Sequence, residues 1–317
     1  MSDIEFIPNK NNLANLDELS LMGSVLAERR ICELYEIADV SARIVYEMLN
    51  GGFGIYEALS LIGAELTDGE HKIHKEHLPE NFEMLLFYAK AFSVFDKASF
   101  ARLLLAGISE RGAVVSERDF FEKEQREESI AYVKSQLANE AYDVFADSFK
   151  EPRLKYVSDI KEAVSLVTRA EAGYAILPLE EKGGARLSSI TEILYRSELK
   201  INSVTPVFGA LGNADMKYAL VSPSVSLPAM EEGDDRYLEL RIPATDTFKF
   251  SELVSVAESL GIELYRVNTI SFDGEDGSLP YFSLVLKREA SDFTEMLTYL
   301  TLFVSDYTSV GIYKNLE

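Results

Sequence analysis

From Leu13 to about Ser129 apolar residues return mostly at steps of three and four. Leu19, Met22 and Leu26 are followed by Ile31, Leu34 and Ile37, then by Ile44 and Met48, with a break at Asn50-Gly51-Gly52. That spacing predicts amphipathic helices. A second group is expected at Ile55 to Leu66, Phe82 to Phe95 and Ala98 to Ile108. The stretch Glu117 to Ser129 (ERDFFEKEQREES) is densely charged and reads as a solvated helix face or linker, so the first domain boundary is expected at its end.

Beyond it the period changes. Ile130 to Val133 reads as a strand, Leu137 to Asp147 as a helix, Leu154 to Val157 as a strand and Ser158 to Glu171 as a helix, with Ser158 or Asp159 as its cap. Tyr174 to Leu179 is an apolar strand containing Pro178 and running into Glu180. A helix over Leu187 to Tyr195 and a strand over Ile201 to Val207 follow. Alternation of this kind predicts a mainly parallel sheet covered by helices. The strand ending at Glu180 delivers polar side chains to a helix N-terminus, where α/β folds hold anionic ligands.

A third unit begins near Arg236. Tyr237 to Ile242 alternates as a half-buried strand, and a helix at Phe250 to Leu260, strands at Ile262 to Ser271 and Tyr281 to Lys287, a helix at Ala290 to Phe303 and a strand at Tyr307 to Tyr313 complete it. This β-α-β-β-α-β order is ferredoxin-like.

At 317 residues the chain has the length of two or three domains, and three are expected: a helical domain over 1–129, a single α/β lobe over 130–228 and the ferredoxin-like domain over 229–317. The fold class is therefore multidomain α+β. No apolar run reaches the roughly 20 residues of a membrane span, and no secretory leader pattern is present, so a cytoplasmic protein is expected. A formal charge of −22 argues against nucleic acid as a partner, since that affinity comes from cations neutralising phosphates. Cys32 is the only cysteine; its helical context predicts a small buried hydrophobe.

The segment Tyr156 to Pro206 resembles one periplasmic-binding-protein-like lobe of prephenate dehydratase, in its order of strand, Leu177-Pro-Leu-Glu180, glycine turn and helix. With the helices before it and a module like an ACT domain after it, the chain resembles a bifunctional chorismate mutase/prephenate dehydratase. A weak echo of the mutase's first helix is Asn15-Leu-Asp-Glu-Leu19, with Ser20 where that family has arginine. The resemblance implies phenylalanine biosynthesis, pairing of ACT modules into a dimer or larger assembly, and an aromatic amino acid or prephenate-like ligand.

The resemblance breaks where that family does chemistry. The glycine-rich turn after the first strand is replaced by Lys134-Ser-Gln-Leu-Ala138, and the family's Glu-Asn-Ser/Thr falls on Glu180-Glu181-Lys182. Its Thr-Arg-Phe falls on Met216-Lys217-Tyr218, and its second lobe is reduced to Phe208-Gly-Ala-Leu-Gly212. Methionine cannot donate a proton to a departing hydroxyl, and lysine lacks the two-pronged grip of arginine on a carboxylate. In the ACT-like unit the ligand positions fall on Thr247, Phe248 and Lys249 and on Asn268, Thr269, Ile270 and Ser271. His71 and His74 are the weak metal candidates; with no glycine-rich phosphate loop, nucleophile elbow or zinc spacing, no cofactor is expected. The resulting expectation is a degenerate dehydratase-like protein that binds or senses a small molecule. The alternatives are an active, divergent prephenate dehydratase and a non-catalytic scaffold.

Overall fold

The computed structural model describes residues 10–67, 87–122, 126–208, 214–229, 233–245, 249–271, 280–289, 291–304 and 306–316, with only the backbone at 10–23, 214 and 215. The chain divides into two compact units, Met1–Val114 and Val115–Glu317. His71, His74, Thr247 and Phe248 lie outside the described residues.

The first unit is helical. Helices α1 (Lys10–Asn50), α2 (Ile55–Thr67) and α3 (Val94–Glu110) carry its core. On α1 the buried positions Leu34, Ile37, Ala38, Ala42 and Val45 recur mostly at three and four residues, and α1 packs against α3, where Phe100, Ala101, Leu104 and Ile108 are buried. Of the helix expected over Phe82 to Phe95, residues 82–86 lie outside the described residues, and the rest is interrupted because Ser93 starts a new helix as its N-cap: its hydroxyl accepts from the Asp96 amide, and the Asp96 carboxylate accepts from the Ser93 amide at 2.7 Å. Cys32 is exposed, contrary to the burial expected of it, since it lies two residues before Leu34 and so on the opposite side of the helix from the buried stripe.

The second unit is built on one nine-stranded sheet in the order β2-β1-β3-β5-β4-β9-β6-β8-β7. Its strands are β1 (Ser129–Val133), β2 (Arg153–Val157), β3 (Tyr174–Glu181), β4 (Lys200–Phe208), β5 (Ala214–Ser222), β6 (Asp235–Pro243), β7 (Glu263–Ser271), β8 (Pro280–Glu289) and β9 (Thr308–Lys314). The helices between them are α4 (Gln136–Ala146), α5 (Ile160–Thr168), α6 (Ser188–Arg196), α7 (Phe250–Ser259) and α8 (Thr294–Phe303). Asp159 is the cap of α5, accepting from the Glu162 amide at 2.8 Å.

The sheet is less parallel than the alternation predicted. β1 runs parallel to β2 and β3, but β5 lies antiparallel between β3 and β4. A parallel return requires a crossover of a dozen or more residues; only residues 209–213 separate β4 from β5, which permits an antiparallel return. The last four strands have the order β9-β6-β8-β7, the ferredoxin-like arrangement.

The two parts of the sheet join where β4 meets β9, in parallel, at Ile201↔Gly311. Gly311 allows that approach: a Cβ there would lie 2.2 Å from the Ile201 carbonyl oxygen. One core cluster spans the joint, with Leu177, Leu179, Ile190 and Leu194 on one side and Tyr237, Val285 and Tyr313 on the other.

The charged segment 117–129 is not simply solvated. Ser116 opens a short 3₁₀ turn, and Glu117 is buried at 3% exposure, accepting from the Phe293 amide and pairing with Arg236. Charge density predicted exposure, but a buried carboxylate is tolerated where a cation and an amide both meet it.

Candidate functional site

Successive residues of a strand face opposite sides of the sheet, and this splits the positions matched to the dehydratase motifs. On β5, Tyr218 packs with Ile130, Tyr132, Phe145 and Ile176 on the side covered by α4, with Met216 against the same cluster. Lys217 points to the other side. On β3 the register shifts between Pro178 and Glu180, so Pro178 pairs with Tyr218 and Glu180 pairs with Lys217. The bulge leaves Leu179 as the extra residue and turns Glu180 to the face of Lys217.

Met216 and Tyr218 line a cleft of about 720 Å³ at the C-terminal ends of β1 and β3, the position where open α/β sheets bind ligands. Its floor and walls are Ile176, Pro178, Leu187, Ile190 and Ile193. Polar groups stand at its rim: Ser135 and Asp159, the caps of α4 and α5, with Ser158, Ser189 and Lys161. Lys161 is the only cation among the described lining residues. Burial pushes the Tyr218 phenol above its ordinary range, with a hydrogen bond to Ser135 opposing, so it stays protonated at neutral pH.

Glu180 lies on the opposite face, in a buried charge cluster. Its carboxylate is hydrogen-bonded by Arg266 and lies 3.3 Å from both Arg186 and Lys217. Arg186 also pairs with Glu239, whose carboxylate accepts the Tyr313 hydroxyl at 3.1 Å. The turn after β3 makes this possible: Gly183 and Gly184 take φ of 94° and 82°, and the chain folds back so that Arg186 bridges to Glu180. Burial raises the Glu180 carboxyl, but the Arg266 hydrogen bond and the charges of Arg186 and Lys217 outweigh it, and its pKa falls below the ordinary value. Burial opposes the Arg186 charge, yet Glu239, Tyr313 and Glu180 hold its pKa above normal. Tyr313 is raised well above the usual phenol range by burial, then by Glu239.

No family model matches this chain, and no curated protein matches it. Among solved structures it is similar to a prephenate dehydratase from Streptococcus mutans, at 16% identity over 60% of this chain and 99% of that one, with a TM-score of 0.48. It is also similar to a prephenate dehydratase from Arthrobacter aurescens solved with L-Phe, at 14% identity over 58% and 89% (TM-score 0.41), and to GqqA, described as a novel type of quorum quenching acylase, at 15% identity over 59% and 95% (TM-score 0.43).

Of the six positions expected at a dehydratase-like site, Met216 and Tyr218 reach the cleft, while Glu180 and Lys217 join the charge cluster. Glu181 and Lys182 are exposed on the turn. The expected positions Asn268, Thr269, Ile270 and Ser271 line a groove of about 610 Å³ shared with the turn after β3. Arg186, Glu239, Arg266 and Tyr313 were not singled out by the sequence. For Glu239 the signal is a charge at an inward position of an alternating strand, Tyr237-Leu-Glu239-Leu, and nothing in the sequence pairs it with Arg186 on the turn or Arg266 on β7.

In the helical unit an apolar hollow of about 610 Å³ is lined by Leu26, Leu34, Tyr88 and Phe92. Its two arginines are engaged by carboxylates: Arg29 lies 2.9 Å from Glu33, and Arg30 pairs with Asp96. Among the described residues no group of three or more His, Cys, Asp or Glu could hold a metal, and no helix is long and apolar enough to cross a membrane.

Proposed function

We infer that this chain is a ligand-binding, regulatory relative of the prephenate dehydratases that does not dehydrate prephenate. One observation carries the reading. The cleft offers Met216 and an unionised Tyr218 among aliphatic side chains, while Lys217 is turned to the other face and engaged by Glu180. Prephenate carries two carboxylates and must lose a hydroxyl with one of them. A cleft whose one described cation is Lys161 neither neutralises that charge nor places a strong acid at the leaving group.

What the cleft suits is an aromatic amino acid. The ring would rest on Ile176, Pro178 and Met216, and the ammonium and carboxylate would meet Asp159 and Lys161 at the rim. A role as a sensor in phenylalanine metabolism follows from the resemblance. The ferredoxin-like half is read as an ACT module, and a dimer is proposed through its edge. β7 is nine residues long and outermost in the sheet, with Tyr265 and Val267 exposed at 44% and 43%.

The test is a thermal-shift titration of the full chain with phenylalanine, tyrosine and prephenate, beside an assay for phenylpyruvate formation. The expected result is a saturable rise with an aromatic amino acid, abolished by Met216→Glu, and no turnover. Turnover of prephenate above the uncatalysed rate would show an enzyme instead.

A further inference from the structure

We propose that the groove between the turn after β3 and the face of β7 is a second site, built for a small hydrophilic carboxylate. It is separate from the cleft, and either reading can fail without the other. Among the described residues, the charge cluster beneath the groove holds Glu180 and Glu239 facing Arg186, Arg266 and Lys217. Of the cluster's cations Arg186 and Arg266 reach the groove, both largely buried, and a second carboxylate brought to them there is favoured by their charge and free donors. Arg186, Arg266 and Glu239 themselves line the groove.

The groove's arginines have donors to present. Arg266 gives one guanidinium nitrogen to Glu180, and the remainder of its fork has no other hydrogen bond among the described residues. The acidic residue at the rim, Glu192, is half-exposed and paired with Arg196 at 2.8 Å.

The rest of the lining sets the ligand class. Ser188 and Thr191 from α6 line it with Asn268 and Ser283, and its only wholly apolar side chains among the described lining residues are Ala185 and Ile270. Hydroxyl and amide groups suit a ligand with its own hydroxyl or carbonyl groups, and an arginine fork suits a carboxylate. An aromatic amino acid fits poorly, because its net charge is zero and its ring has little apolar surface to meet. A ligand held here touches the loop before α6 and the outer strands together, and so fastens the two parts of the sheet.

Calorimetric and thermal-shift titrations of the full chain with L-malate and L-lactate, and with phenylalanine as comparator, test this. Saturable binding of either acid is expected. Asn268 is exposed, so Asn268→Asp keeps the fold while putting a like charge in the groove, and it is expected to weaken the binding about tenfold or more. Met216→Glu, in the cleft, is expected to leave it unchanged. Absence of binding by both acids, or binding that Asn268→Asp does not weaken, would overturn the proposal. So would phenylalanine binding that is lost in Asn268→Asp.

Discussion

Replacing Glu180 by Gln tests whether the charge cluster holds the second unit together. Glu180 is 4% exposed and its carboxylate meets Arg186, Arg266 and Lys217, while Glu239 is the other acid of the cluster among the described residues. The amide keeps the shape but leaves three cations facing a single carboxylate. Removing one partner of a buried ion pair costs about 3–5 kcal/mol, because the remaining charge stays buried and unpaired. For a unit of this size each kcal/mol moves the melting temperature by roughly 2–4 °C, so a fall of about 6–20 °C is expected. The pH dependence has a definite sign. The folded pKa of Glu180 is depressed, so its contribution is fully present above the ordinary glutamate value of 4.5 and is lost as pH falls through the lower folded value. The gap between wild type and Glu180→Gln should therefore be constant near neutrality and close as the pH drops below that of an ordinary glutamate. Scanning calorimetry of both proteins between neutral and acidic pH measures this. A fall under about 2 °C at neutral pH, or a gap that widens in acid, would refute the reasoning.

Three further outcomes are expected. Gly311→Ala puts a Cβ 2.2 Å from the Ile201 carbonyl, so it should cost about 1–3 kcal/mol and loosen the β4–β9 joint, read as faster amide exchange along β9. Phe145→Ala removes a fully buried ring beneath the cleft and should cost about 3–5 kcal/mol in urea unfolding without changing the m-value. Ser93→Ala deletes the cap of α3 and should lower the stability of the helical unit by about 1 kcal/mol, checked by the helical signal of the isolated transition.

The sequence made the elements legible wherever a period of two or of 3.6 ran unbroken. β3, β4, β6 and β8 lie within about two residues of the strands read from alternation, and the ferredoxin-like strand order follows from their sequence order. Faces were harder to read. Motif matching puts Glu180 beside a ligand and Lys217 at a binding position, but one extra residue at Leu179 and the strict alternation of β5 turn both away from the cleft and toward each other. A bulge shifts facing without leaving a mark in hydrophobicity, since Leu177 and Leu179 are both buried. Long-range pairing was illegible for a similar reason: Gly311 is informative only once Ile201 lies against it, and the acidity of 117–129 conceals that Glu117 meets Arg236, far along the chain. The proposed function therefore rests on which face each charge occupies. Had β3 run without its bulge, Glu180 would stand on the face of Pro178 and Tyr218, and Lys217 would lose the carboxylate that engages it. Arg186 and Arg266 would then lose the carboxylate of Glu180, so the same irregularity that strips the cleft of its acid also changes the charge beneath the groove.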